Sequence, residues 1–121
     1  MLKETTVVAP QETTTAAPTE PLDPKTLETA EVLEAAADYI EIHGWTRRSL
    51  NVFNRVCTVG AIYKVTGTQA HRMPPDKANR AYKAMNNFLG QDVVNWNDGD
   101  AESGKQVVRT LRTAAAQLLH R

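Results

Sequence analysis

The residue types of a thiol-nucleophile triad are present in Cys57, His43 and Asp98. Their spacing does not support that chemistry, and no family-type cysteine signature surrounds Cys57. The cysteine lies in an apolar stretch, where a free thiol behaves as a small hydrophobe. Two polar–aromatic clusters are more informative, and together they hold both tryptophans of the chain. His43-Gly44-Trp45 falls where one amphipathic segment stops, and Asn95-Trp96-Asn97-Asp98 stands just ahead of the last one. Each joins a large ring to small polar groups that favour turns and caps. They are either two corners that lock a small helical fold or two halves of a site. As architecture, the Trp96 indole packs under helix ends while Asn97 and Asp98 bond neighbouring backbone in an Asx-type turn. As a site, an exposed Trp96 with flanking amides and a carboxylate makes a recognition pocket. His43, at a helix C-terminus, reads as a cap or corner rather than a catalyst.

A further set is cationic. Arg47, Arg48, Arg72, Lys77, Arg80 and Lys83 could contact phosphates. A recognition helix in the same region would supply base-reading amides from Gln69 to Asn87. Residues 43–90 hold eight Lys and Arg side chains against Asp76 alone, whereas residues 25–42 hold Lys25 against five acidic ones. Such asymmetry marks either a nucleic-acid partner or an acidic helix lying beside a basic one within the fold. The whole chain has zero net charge, well short of the basic balance expected of a nucleic-acid binder. No phosphate-cradling glycine loop and no paired metal carboxylates stand in the sequence. One cysteine and three scattered histidines argue against a structural zinc site. No cofactor and no metal are expected.

The elements that must position these residues are helical. A chain of 121 residues is the length of one domain and can bury a real core. No apolar run reaches the length of a membrane span, and no apolar h-region opens the chain. A lone cysteine excludes an internal disulfide and fits a reducing cytoplasm. Residues 1–22 read as a disordered tail, whose stretch from Glu4 to Pro21 is rich in Thr, Pro, Ala and Glu with Val7-Val8 its only apolar spot; a docking strand or a flexible tether is the alternative. Residues 23–121 read as the helical domain.

The first helix is predicted from Asp23 as N-cap and Pro24 at the first position to a stop at Gly44. Its stripe is Leu27, Ala30, Leu33, Ala36, Ala37 and Ile40. Residues 46–54 read as irregular, and a hairpin over 46–58 is not favoured. A second helix, apolar almost all round and therefore central, is predicted over 55–66 and closed by Gly67; a β-strand is its rival. Pro74-Pro75-Asp76 opens a third helix with the stripe Ala78, Ala81, Tyr82, Met85, Phe88 and Leu89, ended by Gly90, with Lys77, Arg80 and Lys83 outward. Ser103 to Gln106 fits a capping box for a fourth helix. That helix buries Val107, Val108, Leu111, Ala114, Ala115 and Leu118, with Arg109, Arg112 and His120 on its exposed side. The expected fold is a compact all-α, four-helix single domain.

Several motifs carry a resemblance. They are His43-Gly44-Trp45-Thr46, Arg55-Val56-Cys57 with Gly60-Ala61-Ile62, Val94-Asn95-Trp96-Asn97-Asp98, and a last helix with Val107-Val108 and Ala114-Ala115. Over about residues 27–118 the chain resembles a family of small proteins of unknown function found in actinobacteria and in phages that infect them. The departure is at Leu50, Val52 and Phe53, where family members have a small-residue turn. The resemblance brings no catalytic residues. It implies an actinobacterial or mycobacteriophage origin, work in the cytoplasm, and binding of a host protein.

The leading expectation is a non-enzymatic interaction protein that binds a host or phage protein. The surface would be an exposed helix face or the corner of His43, Trp45, Asn95, Trp96, Asn97 and Asp98, with a homodimer open to any spare apolar face. The first alternative is a nucleic-acid-binding regulator using residues 47–83. The second is a small enzyme or ligand-binding domain in which His43, Cys57 and Asp98 converge.

Overall fold

A computed structural model describes residues 22–48, 51–52, 55–68 and 73–120. The tail expected at 1–22 lies outside these residues except for Leu22, as do Gln69 and Arg72. The protein is mostly helical. In chain order the elements are α1 (Pro24–His43), β1 (Asn51–Val52), β2 (Arg55–Val56), α2 (Thr58–Thr66), α3 (Asp76–Leu89), the single turn α4 (Val93–Asn95), a π-helical turn (Trp96–Asp100) and α5 (Gly104–Leu119). Four of these match the four helices expected; α4 and the π-helical turn were not foreseen. No helix among the described residues is long and apolar enough to cross a membrane.

Local chemistry sets the helix ends. Asp23 Oδ2 accepts from the Lys25 and Thr26 amides at 3.1 and 3.3 Å, and Pro24 takes the first helical position. Those amides have no intrahelical partner, so the carboxylate satisfies them. Gly44 stops α1 at φ +99°, with its N–H on the Ile40 carbonyl at 2.8 Å. A side chain there would be strained, and its Cβ would sit 3.1 Å from the Arg55 stem. At the end of α2 the Gly67 N–H bonds Lys64 O and the Thr68 N–H bonds Tyr63 O, which is a Schellman closure. Ser103 Oγ caps the Gln106 amide at 3.1 Å. The Gln106 side chain reaches one residue further back than a capping box requires, to the Glu102 N–H at 2.6 Å.

The prediction of a helix from Arg55 is corrected, and so is the disfavoured hairpin. Asn51–Val52 pairs antiparallel with Arg55–Val56, and Trp45 bridges Val56 in parallel. The reason is a tertiary demand on the Val56 backbone. Its N–H donates to Gly44 O at 3.1 Å, and its carbonyl accepts from Thr46 N–H at 3.0 Å. A helix over the same residues would turn the Val56 carbonyl onto the Gly60 amide, away from Thr46, and break the extended pairing. The helix therefore starts at Thr58, with Cys57 as N-cap.

Helix α1 is the hub. It packs most extensively on α5 and also on α2 and α3. Ala30, Ala36 and Ala37 on α1 and Ala114 and Ala115 on α5 are buried, and small side chains let helix axes approach closely. Leu33, Ile62, Met85 and Leu111 are the largest fully buried apolar side chains. Tyr82 Oη donates to Asp92 Oδ2 at 2.5 Å, fastening α3 to the cap of α4. That bond holds the Asp92 carboxyl below its ordinary range and pushes the Tyr82 phenol up.

The uneven charge along the chain is met within the fold. Arg80 of α3 pairs with Glu28 of α1. Arg112 of α5 is half-buried rather than outward, and bonds Glu34, Asp38 and Glu41 at 2.7, 2.9 and 3.0 Å. These pairs are partly exposed, so each contributes about 0–1 kcal/mol; they align basic helices on the acidic face of α1.

Candidate functional site

The end of α1 and the segment after α4 meet, although some 50 residues separate them in the chain. After Gly44 the chain turns along β2, which sets Trp45 and Thr46 beside the start of α2. The π-helical turn, closed from Ala101 N–H to Trp96 O at 2.8 Å, carries two consecutive buried side chains. Trp96 enters the core at 7% exposure. Asn97, at 1% exposure, faces Trp45, Thr46 and Thr58. The wider π turn is uncommon and concentrates where a helix must redirect side chains.

Asn97 is the centre of the cluster. Its Oδ1 accepts from Trp45 Nε1–H at 2.7 Å, from the Thr58 amide at 2.9 Å and from the Thr58 hydroxyl at 2.6 Å. Two of those donors are N–H groups that cannot accept, so the amide has one orientation. Its Nδ2 donates to Thr46 O at 3.3 Å and to Asp98 Oδ1 at 3.0 Å. Asp98 Oδ1 also accepts the Arg48 backbone N–H at 2.8 Å. Arg48 is there in the left-handed region at φ 63°. This position is costly for a residue with a side chain, and the Asp98 bond helps hold it. Asn97 and Asp98 thus bond a remote segment, not the neighbouring backbone of the expected Asx turn.

The remaining sequence candidates fall as follows. Trp45 is half-buried. Arg47 lies over its ring at 5.3 Å and donates from Nη2 to Ala101 O at 2.5 Å, which binds the two segments again. His43 is exposed and stacks on Tyr39, ring centres 4.2 Å apart. Asn95 is exposed. In the cationic set, Arg80 is paired to Glu28 and Arg47 is turned into the corner, while Lys77 is half-buried and Lys83 exposed. Arg72 lies outside the described residues. Among the described residues, no hydrogen bond links His43, Cys57 and Asp98, and no three His, Cys, Asp or Glu side chains gather to hold a metal ion.

Sequence reasoning missed Thr58, Thr46 and Gly104. Thr58 is a polar residue at the start of a largely apolar helix, which is the one signal that pointed to it. Gly104 has a steric reason, because a Cβ there would meet Trp45 Cβ at 3.1 Å. The start of α5 can therefore lie directly on the tryptophan.

A family model matches residues 24–117, described as a family of unknown function, DUF6197. The chain belongs to that family. The DUF6197 match opens on the first residue of α1 and closes within α5, so it holds the whole Trp45–Thr58–Asn97–Asp98 cluster and leaves the tail outside. No curated protein and no solved structure matches the chain.

The cluster's chemistry is set by burial. Cys57 Sγ accepts the Gly60 amide at 3.2 Å as the cap of α2. Burial pushes its thiol above the ordinary range, and the nearby Asp98 charge adds to this. That direction is opposite to what a nucleophilic thiolate needs. Alkylation of Cys57 by iodoacetamide at pH 8 should be about ten times slower in the folded protein than in urea; equal rates would contradict the burial. A folded pKa above the unfolded one gives a stability contribution present below the ordinary thiol pKa. That contribution is lost as pH rises through the raised value.

Proposed function

We propose that this protein is a non-enzymatic interaction protein that binds a host or phage protein beside Trp45. The observation that carries the reading is a division of labour at the corner. Asn97, Asp98 and Cys57 turn their polar atoms inward onto the fold. Next to them a groove of about 560 Å³ stays open between the end of α1 and the start of α5. Ile40, Trp45 and Val108 line it, the exposed Lys105 and Arg109 stand beside them, and Glu41 on its rim is already paired with Arg112. An apolar strip with cationic side chains fits an acidic amphipathic segment of a partner, and an aromatic anchor in such a strip concentrates binding energy. Work in the cytoplasm of an actinobacterial cell, with the gene carried by the bacterium or by its phage, rests on the family resemblance and the lone buried thiol.

The test is capture from lysate by the parent and by Lys105→Glu/Arg109→Glu. Both positions are exposed, so the variant keeps the parental stability within about 0.5 kcal/mol. The expected result is a partner held by the parent and bound about tenfold more weakly by the variant. A partner retained equally by both, or a parent that captures none, counts against the reading. Salt-dependent binding of the parent to duplex DNA, lost in Lys77→Glu/Lys83→Glu, would support the nucleic-acid alternative instead.

A further inference from the structure

A second groove, of about 490 Å³, opens at the other end of α1, between α1, α3 and α5. Its apolar part includes Phe88 and Leu118, both half-buried, and its polar part includes Lys25, Arg80 and Lys83. Asp23, the cap of α1, also lines it. The chain N-terminal to Asp23 therefore enters the fold at the mouth of this groove. Residues 1–21 carry Lys3 against Glu4, Glu12 and Glu20, so their charge is opposite to that of the groove. Lys25 and Lys83 are exposed, and Arg80 is already paired with Glu28, which leaves the two lysines to meet added carboxylates.

We propose that residues 1–21 of this chain occupy the groove, with Val7-Val8 covering Phe88 and Leu118, and Glu12 and Glu20 beside Lys83 and Lys25. The reach is sufficient. Residues 9–21 separate Val8 from Leu22 and span up to about 40 Å when extended, against about 21 Å for the whole of α3. Attachment through Leu22 gives the segment an effective concentration of the order of millimolar, which lowers the affinity that docking requires. This docking is at the opposite end of α1 from Trp45 and does not depend on the partner reading given above.

Amide spectra of the isotope-labelled full chain test it, comparing the parent with Val7→Asp/Val8→Asp and with Glu12→Lys/Glu20→Lys. Neither variant touches the helical domain, so both fold. The expected result is that amide resonances of Ala84, Phe88, Gln117 and Leu118 move in both variants, in the same direction, independently of protein concentration. Groove resonances that stay in place would overturn the proposal. So would changes confined to the Trp45 end. Changes that grow with protein concentration would assign the groove to a second copy and overturn it too.

Discussion

Trp96→Ala lowers the unfolding free energy by about 3–5 kcal/mol. The indole is 7% exposed and belongs to the main core, and its backbone starts the π-helical turn that carries Asn97. Removing the ring leaves a large void under the only connection between α4 and α5. Collapse into that void moves the π turn, so part of the loss comes from the bonds of Asn97. Trp96→Phe keeps a ring at the site and costs less. Urea unfolding followed by circular dichroism measures both. A loss near zero for the alanine variant would mean that Trp96 is on the surface and that the recognition-pocket reading deserves a return.

Asn97→Ala has the second large effect, about 3 kcal/mol. Three donors lose their acceptor at once: the Trp45 indole, the Thr58 amide and the Thr58 hydroxyl. Each buried group left unpaired costs about 1–3 kcal/mol, reduced where water can enter. Asn97→Asp separates shape from charge. It keeps an acceptor for Trp45 and Thr58, loses the donor to Thr46 O, and sets a second carboxylate against Asp98. Burial and that like charge raise the new carboxyl above its unfolded value of about 3.9. Its contribution is therefore present below about pH 4 and lost as pH rises through the raised folded value. The variant should approach the parent in acid and fall away towards neutrality. A parallel pH profile for parent and variant would contradict the burial of this site.

Local signals were legible in the sequence and long-range ones were not. Asp23-Pro24, Gly44, Gly67, Gly90 and Ser103 each mark a helix end by their own conformational chemistry, and the helices end at those residues. The start of α2 was not legible, because Val56 is held extended by Gly44 and Thr46, and nothing in a β-branched run declares which distant carbonyl it will meet. The composition of the corner was legible as two aromatic clusters. Their meeting was not, since it depends on an amide at 97 finding an indole at 45. Arg112 shows the same limit from the opposite side. Its place on the helix reads as outward, yet three carboxylates of α1 draw it across the interface. The groove beside Trp45 was the least legible feature, because it exists only once α5 lies on Trp45 through Gly104.

The two clusters form one structural unit, in which the Asn97 side chain ties Trp45, Thr46 and Thr58 together. A double-mutant cycle of Trp45→Phe and Asn97→Ala, measured by urea unfolding, tests it most directly. Trp45→Phe removes the indole donor and keeps a ring. The account predicts a coupling of about 1 kcal/mol or more between the two sites, since the two groups share a 2.7 Å bond. Losses that add to within about 0.5 kcal/mol would show that the clusters act independently and would contradict it.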